Sequence, residues 1–512
     1  MRLIHQISSA GVFGTQLSRR AESRRWILRS AVAAITLLTS AECALTADGP
    51  FEGSQAVADS YAPGFRSITE ADSRTILQTL VEGDMAGRGT GQEGFLKAAR
   101  WYAEQLESYG FQPAGPDGSW FQNVPFVKLA VVRDKCSVKV GTEELIAAKS
   151  LGISDFTGSL QQSLPASFVA LGDSAECAEG QFAGRLLVVQ GSGRVRFDHP
   201  FLLKGKPAAV LIVSADARVR DEAVNQNEDT PSQIPVLNVT RSAANVLAAK
   251  CGVNADFFQE SSGDKTVIVS SSTEVDCLLT VERESIDVPN VVAWYPGSDP
   301  ALQHEHICIG CHLDHLGVQR GETYPGADDN GSGSTAVLQV ARAVHANPIK
   351  PKRSVLLIAF CAEERGLLGS RFYVKNPLRP LKDMICMLNI DMIGRNEETE
   401  SEPAAQNENT IHLVGSRDHS TQLHELTLQA NQHVGFVFEY DEEDRVDGRS
   451  DHASFSEQGI PVTFLFGGFN PQYHKPTDTL EGINFSKIAN GARLNYLTLM
   501  MASEHGRFQK NP

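Results

Sequence analysis

The stretch ICIGCHLDHLGVQRGETYPGADDNGSGSTAVLQVARAVH, residues 307–345, decides the fold. It opens on a short run, 307–312, that is apolar on both faces, and it closes on a helical pattern over 334–345. Within that helix Val337, Val340, Ala341 and Val344 recur at i, i+3, i+4 and i+7, the stripe by which a helix packs on a sheet. A strand with no polar face is covered on both sides. Downstream the same alternation continues, with buried strands expected at 355–361, 385–393, 411–415 and 462–466. Strands of this kind alternating with helices make an α/β domain whose sheet carries helices on both faces.

Working outward, residues 68–115 follow a helical period, with Ala98, Ala99, Tyr102, Leu106 and Tyr109 on one face and Gly110 and Pro113 ending it. Residues 132–288 change character, to short strands near 185–190, 208–214 and 235–239 separated by Gly, Ser and Asp. A separate small β-rich domain is the economical reading. The chain therefore divides into 1–47, 48–131, 132–288 and 289–512, with no internal repeat, and 397–409 reads as a polar surface loop.

The first 47 residues carry six arginines against two glutamates and a short apolar stretch at 30–40, the pattern of an export signal. Ser23-Arg24-Arg25-Trp26-Ile27-Leu28-Arg29 resembles a twin-arginine signal, and the twin-arginine and ordinary secretory routes both stay open. The apolar stretch is too short to span a bilayer, so no stable membrane span is expected once the signal is removed. The destination is periplasmic, extracellular or cell-surface.

With 512 residues, 41% hydrophobic and 21% charged, the composition is that of a globular protein of two or three domains. A formal charge of −16 argues against nucleic acid, whose phosphates require a basic face. Of nine cysteines, Cys136, Cys177, Cys251 and Cys277 fall in the middle region, where disulfides are open to them after export. Cys308, Cys361 and Cys386 sit in apolar runs and read as inert core thiols.

Residues able to hold metal recur where the apolar strands end: His312 with Asp314, Asp328-Asp329, Glu363-Glu364, Asp391 and Tyr473-His474. Ligand sites in open α/β sheets lie outside the carboxyl ends of strands, and acids gathered there need a cationic partner. Histidine and carboxylate ligands without thiolate suit zinc, with manganese or cobalt as substitutes. Singly, each has a plainer account: His312 as a hydrogen-bonded core histidine, Glu363-Glu364 as carboxylates at a helix start, Asp391 as a turn cap. Convergence of five segments is what favours ligation.

These segments, with Ala362-Glu-Glu-Arg-Gly-Leu-Leu-Gly-Ser370 and Asn389-Ile-Asp-Met-Ile-Gly394, resemble the co-catalytic dizinc aminopeptidases of clan MH. That is metallopeptidase family twenty-eight, which also holds glutamate carboxypeptidase and glutaminyl cyclase. Ala86-Gly-Arg-Gly-Thr90 extends the resemblance toward the N-terminus. It implies the zinc exopeptidase fold, a mixed β-sheet covered by helices on both faces, acting on peptide or protein substrates. Residues 132–288 resemble an inserted protease-associated domain, through the runs 184–190, 208–213 and 234–239.

Carried over position by position, the resemblance implies two Zn2+ ions, with Asp329 bridging them. His312 and Asp391 complete one ion, Glu364 and His474 the other. Glu363 is then the general base and Tyr473 an oxyanion donor, while Asp314 supports His312 by accepting its free N–H. In the family the bridging aspartate precedes a cis peptide, here Asp329–Asn330. Arg449 and Asp451, in Gly448-Arg-Ser-Asp-His-Ala-Ser-Phe455, are candidates for orienting substrate. His315 and His452 read as surface or supporting histidines, and the run 441–444 as a solvated charged turn.

The function implied is an exported zinc exopeptidase removing N-terminal residues. A carboxypeptidase or dipeptidase on the same scaffold remains the alternative, with glutaminyl cyclisation third. Two readings of another class are a receptor-like relative without turnover and a c-type haem protein, since Cys308-Ile-Gly-Cys311-His312 matches C-x-x-C-H.

Overall fold

A computed structural model describes residues 50–146, 150–153, 159–172, 177–190, 204–214, 222–226, 234–258, 266–319, 321–400, 402–440 and 448–511. The export signal expected at 1–47 and the charged turn at 441–444 lie outside them.

Runs of Val, Ile, Leu, Phe and Cys with no polar face form the centre of a ten-stranded sheet. In chain order its main strands are β1 (Phe121–Val131), β2 (Glu222–Gln226), β3 (Val281–Tyr295), β4 (His306–His312), β5 (Ser354–Phe360), β6 (Met384–Asp391), β7 (Thr410–Val414), β8 (Val437–Glu439) and β9 (Val462–Phe466). A two-residue strand, Gln112–Pro113, pairs with β3. Across the sheet they run β8-β7-β9-β6-β4-β5-β3-β1-β2. The centre is parallel, with β4 beside β5 and β6, and β6 beside β9. The flanks are antiparallel where β3 meets β5 and β1, and where β7 meets β9. The sheet is thus mixed.

Every residue of β4, β5 and β6 is buried. Because side chains alternate across a strand, they feed two apolar clusters: Ile307, Ile309 and Leu357 enter one, Cys308, Leu356 and Ile358 the other. Helices α1 (Glu70–Val81), α2 (Glu93–Ser108), α3 (Gly333–Ala346) and α4 (Phe485–Glu504) supply buried side chains to the first cluster. The helical pattern of 68–115 resolves into α1 and α2, separated by a tight turn at Gly83–Arg88. Gly87 there has φ +73°, and a Cβ on it would stand 2.3 Å from Tyr324 O, so only glycine fits.

The middle of the chain builds a second, eight-stranded sheet from strands between Ser137–Val140 and Val267–Leu279. Its apolar cluster includes Val127, Leu129 and Val131 of β1, so this core continues along a strand of the first sheet. One segment departs from the sequence reading: β2, from within the middle region, joins the edge of the first sheet beside β1. None of the eight described cysteines is in a disulfide.

At the opposite end of β4 from the site, His306 is fully buried against Trp294, 5.6 Å between ring centroids. Burial holds its pKa down to about 4, against weaker opposition from Asp383. The fold prefers the neutral ring, so this group's stabilisation is complete above the unfolded value near 6.5 and is lost as pH falls toward 4. We expect the loss to reach about 3 kcal/mol. Urea midpoints at pH 7 and pH 4.5 should therefore move less in His306→Gln than in the parent chain.

Candidate metal centre

Three parallel strands deliver the first side chains because each ends at the same edge of the sheet. β4 ends on His312, β6 on Asp391, and β5 runs into the turn Glu363–Arg365. Asp329 arrives from the turn preceding α3 and His474 from the loop after β9. The Asp329–Asn330 peptide is cis.

The polar atoms fall into two groupings that share Asp329. In the first, His312 Nε2 faces Asp391 Oδ1 at 3.1 Å and Asp329 Oδ1 at 3.4 Å. In the second, His474 Nε2 faces Asp329 Oδ2 and Glu364 Oε2, each at 3.1 Å. One imidazole nitrogen between two carboxylate oxygens is poorly served by a single N–H. Ligands bound tetrahedrally at about 2.0–2.2 Å stand roughly 3.3–3.5 Å from one another, close to these separations. The donor set, imidazole and carboxylate without thiolate, fits divalent zinc.

The adjacent glutamates diverge. Glu364 turns to His474, while Glu363 Oε2 stands 4.0 Å from His312 Nε2 and lines the cleft. Burial pushes the Glu363 carboxyl well above its ordinary range; His312 opposes this, and Asp391 and Glu364 add to it. Burial would raise Glu364 too, but hydrogen bonds with His315 and His474 outweigh it and hold that carboxyl low. For His474, burial pulls the pKa down, yet its bonds to Asp329 and Glu364 lift it to about 10.

A scaffold of hydrogen bonds fixes these groups. Asp478 accepts from the backbone N–H groups of Asp328 and Asp329 and from Arg395 Nε. Asn330 accepts from Gly333 N and Met392 N and donates to Ile390 O, joining the Asp329 turn to the end of β6. Ser450 Oγ donates to Asp391 Oδ2 at 2.7 Å. Arg88 is fully buried, and its guanidinium donates to four main-chain carbonyls, those of Leu80, Leu313, Pro325 and Gly326. Among the described non-glycine residues, left-handed backbone occurs at Arg88, Ala362, Leu367, Met392 and His474 around this site and at Asp117 and Lys206 elsewhere. Such conformations cost on the order of 1–3 kcal/mol each and gather where the surroundings enforce a geometry.

Asp314 is placed differently from expectation. His312 Nδ1 lies 3.0 Å from the Asp314 main-chain carbonyl, while the Asp314 carboxylate is 3.9 Å away. That carboxylate instead accepts from Thr90 Oγ1 and Glu363 N, tying the glutamate turn to the strand end.

Beside these two groupings opens a cleft of about 220 Å³. Its wall is Met392, Arg449, Phe464, Phe466, Phe469 and Tyr473. Tyr473 stacks on His474 with 3.8 Å between centroids, and burial, with Asp329 and Glu364 nearby, keeps its phenol protonated well past neutral pH. Asp451, expected to orient substrate, is fully buried and does not line the cleft. His452 is also buried, stacked on Phe464.

The haem reading fails on geometry. Cys308 and Cys311 lie inside β4, fully buried, and feed clusters on opposite faces of the sheet. A three-residue step along a strand cannot present both thiols to one ligand. Of the surface and supporting places open to His315, the structure gives it the buried one, with Nδ1 2.7 Å from Glu364 Oε1. Only its place, one residue beyond Asp314, hinted at the site. Asp478 was missed because its partners, two backbone amides and the distant Arg395, leave no local pattern, and the role of Arg88 was hidden inside Ala86-Gly-Arg-Gly-Thr90 because its partners are main-chain carbonyls.

A parallel-centred sheet with paired imidazole and carboxylate clusters at its strand ends defines an α/β metal-binding domain. The chain belongs to peptidase family M28, whose family model matches residues 290–498. It is 32% identical over 284 residues to leupeptin-inactivating enzyme 1 of Streptomyces exfoliatus, spanning 50% of this chain and 59% of that protein. It is 30% identical over 268 residues to the uncharacterized protein YfbL of Escherichia coli strain K12, covering 44% of this chain and 74% of that one. The chain thus spans less than two thirds of the Streptomyces enzyme's length. Its fold is similar to that of BSAP, a zinc aminopeptidase from Bacillus subtilis, with a TM-score of 0.57 at 17% identity, covering 85% of this chain and 95% of that one.

Divalent ions must displace protons from a metal-free cluster whose His474 titrates near 10. We expect proton release on zinc uptake at pH 7, measured by calorimetry in buffers of differing ionisation enthalpy, and an affinity that rises from pH 6 to pH 9. Arg88→Met strands four buried carbonyls and should destabilise the fold by about 3–5 kcal/mol in urea titrations.

Proposed function

We propose that this chain is an exported dizinc exopeptidase that removes N-terminal residues from peptides. The observation supporting an end-directed reading is the cleft: about 220 Å³ beside the clustered ligands, a size suited to a single side chain. Its Phe464, Phe466 and Phe469 favour a large apolar side chain there. Proteins similar to this chain that are named aminopeptidases, among them BSAP and YwaD of Bacillus subtilis, support the same direction.

His312, Asp391 and Asp329 would hold one ion, and Asp329, Glu364 and His474 the other. When bound, zinc supplies Lewis acidity toward the scissile carbonyl and the attacking water. Glu363 takes the water's proton and passes it to the leaving amine; its raised affinity for protons suits both directions. Tyr473, protonated at neutral pH, donates its O–H to the developing oxyanion. Arg449 orients the substrate from the cleft wall. Residues 132–288 form an inserted domain that shapes access, and residues 1–47 direct export.

Arg449 also supports a second reading, since a guanidinium can hold a terminal carboxylate and so serve a carboxypeptidase. A panel of free, N-blocked and C-blocked peptides decides. Loss of turnover on N-blocking alone supports the aminopeptidase, and loss on C-blocking alone overturns it. Glu363→Gln should lower kcat by about 10²–10⁴ with zinc content unchanged. Tyr473→Phe should lower it by about 10²–10³.

A further inference from the structure

His315 belongs to none of the roles assigned above, yet it is buried in the centre of the site. Its backbone N–H donates to Arg88 O, and its ring packs on Gly326, where a Cβ would stand 2.5 Å from it. The side chain therefore has little freedom. Nδ1 is 2.7 Å from Glu364 Oε1 and 3.7 Å from Asp329 Oδ2.

Distances separate two accounts of this histidine. Pairs that would share an ion stand at 3.1–3.4 Å: His312 with Asp391 and Asp329, His474 with Asp329 and Glu364. Tetrahedral ligands cannot approach much more closely than roughly 3.3 Å with bonds of about 2.0 Å. At 2.7 Å the His315–Glu364 pair is shorter than any of these, an ion-pair contact rather than the spacing of two ligands on one ion. The first grouping shows the same division of labour. Asp391 gives Oδ1 to the side of His312 and Oδ2 to the hydroxyl of Ser450. Glu364 gives Oε2 to the side of His474 and Oε1 to His315.

We propose that His315 is a positioning residue for the second ion: its buried ring, with Nδ1 2.7 Å from the outer oxygen of Glu364, holds that oxygen in place so that the inner oxygen is fixed toward the metal, the task Ser450 performs for Asp391. The inference rests on the two-ion reading. Each ion then has its own clamp, and the two affinities are separately adjustable.

Stepwise zinc titration of the metal-free protein against a chromophoric chelator tests this, together with cobalt absorption spectra and the melting temperature of the metal-free form. His315→Gln, which moves the amide away from the δ1 position, should weaken one binding step by about 10–100-fold and leave the other within about twofold. His315→Asn, whose amide nitrogen overlays Nδ1, should keep most of the affinity. The weakened step should be the one that Glu364→Gln also weakens, whereas Ser450→Ala should weaken the other. Cobalt band intensities should keep the parental coordination number in both His315 variants, and the metal-free melting temperatures should stay together. Unchanged steps, equal loss in both steps, or a changed cobalt coordination number without rescue by His315→Asn would overturn the proposal. A parent chain that takes up fewer than two ions overturns the two-ion reading itself, which is a separate result.

Discussion

Negative charge packed into a largely buried cluster is the constraint on which this site is built. Asp329, Glu363, Glu364 and Asp391 meet where three segments converge, with Asp314, Asp328 and Asp451 buried behind them. Carboxylates so placed repel one another and lose their hydration, which is why burial raises Asp314 to about 6 and Asp328 and Asp451 to about 7. Such a cluster persists only if positive charge and oriented N–H groups answer it. The imidazoles of His312, His315 and His474, the Arg88 guanidinium and the backbone amides around Asp328 provide part of that answer. The two groupings of ligand atoms leave room for the rest to be metallic.

The scaffold makes this arrangement precise by using rigid elements. Strands with no exposed face place His312 and Asp391 on neighbouring, parallel rungs, so their separation is set by sheet geometry. Asp329 lacks that support and is held by Asn330 and Asp478, which bind backbone atoms on both sides of it. Binding the loop through its backbone leaves the Asp329 side chain free to face both groupings.

Much of this was legible in the sequence because burial on both faces writes itself as uninterrupted apolar runs, and strand ends in such sheets are where polar residues gather. β4, β5 and β6 were read within one or two residues of their bounds, and the clustering of His312, Asp329, Glu364, Asp391 and His474 followed from where those runs stop. What escaped has a common cause: it depends on partners that carry no side-chain signature or lie far away in the chain. Arg88 answers carbonyls, and His315 acquires meaning only through Glu364. Asp451 sits in a motif that also supplies Arg449 to the cleft, but burial takes its carboxylate out of reach of that cleft. β2 was hidden inside a region whose other strands belong to a different sheet.

That last strand has a mechanical consequence. β2 pairs with β1 over five residues, from Phe126 opposite Gln226 to Ala130 opposite Glu222, while β1 also contributes Val127, Leu129 and Val131 to the core beneath the other sheet. A swing of the middle region about a simple hinge would have to strip that ladder and open that core together. The two sheets are stitched rather than tethered, so rigid-body rocking between them is suppressed, and adaptation to substrates of different size is left to the loops at the cleft mouth.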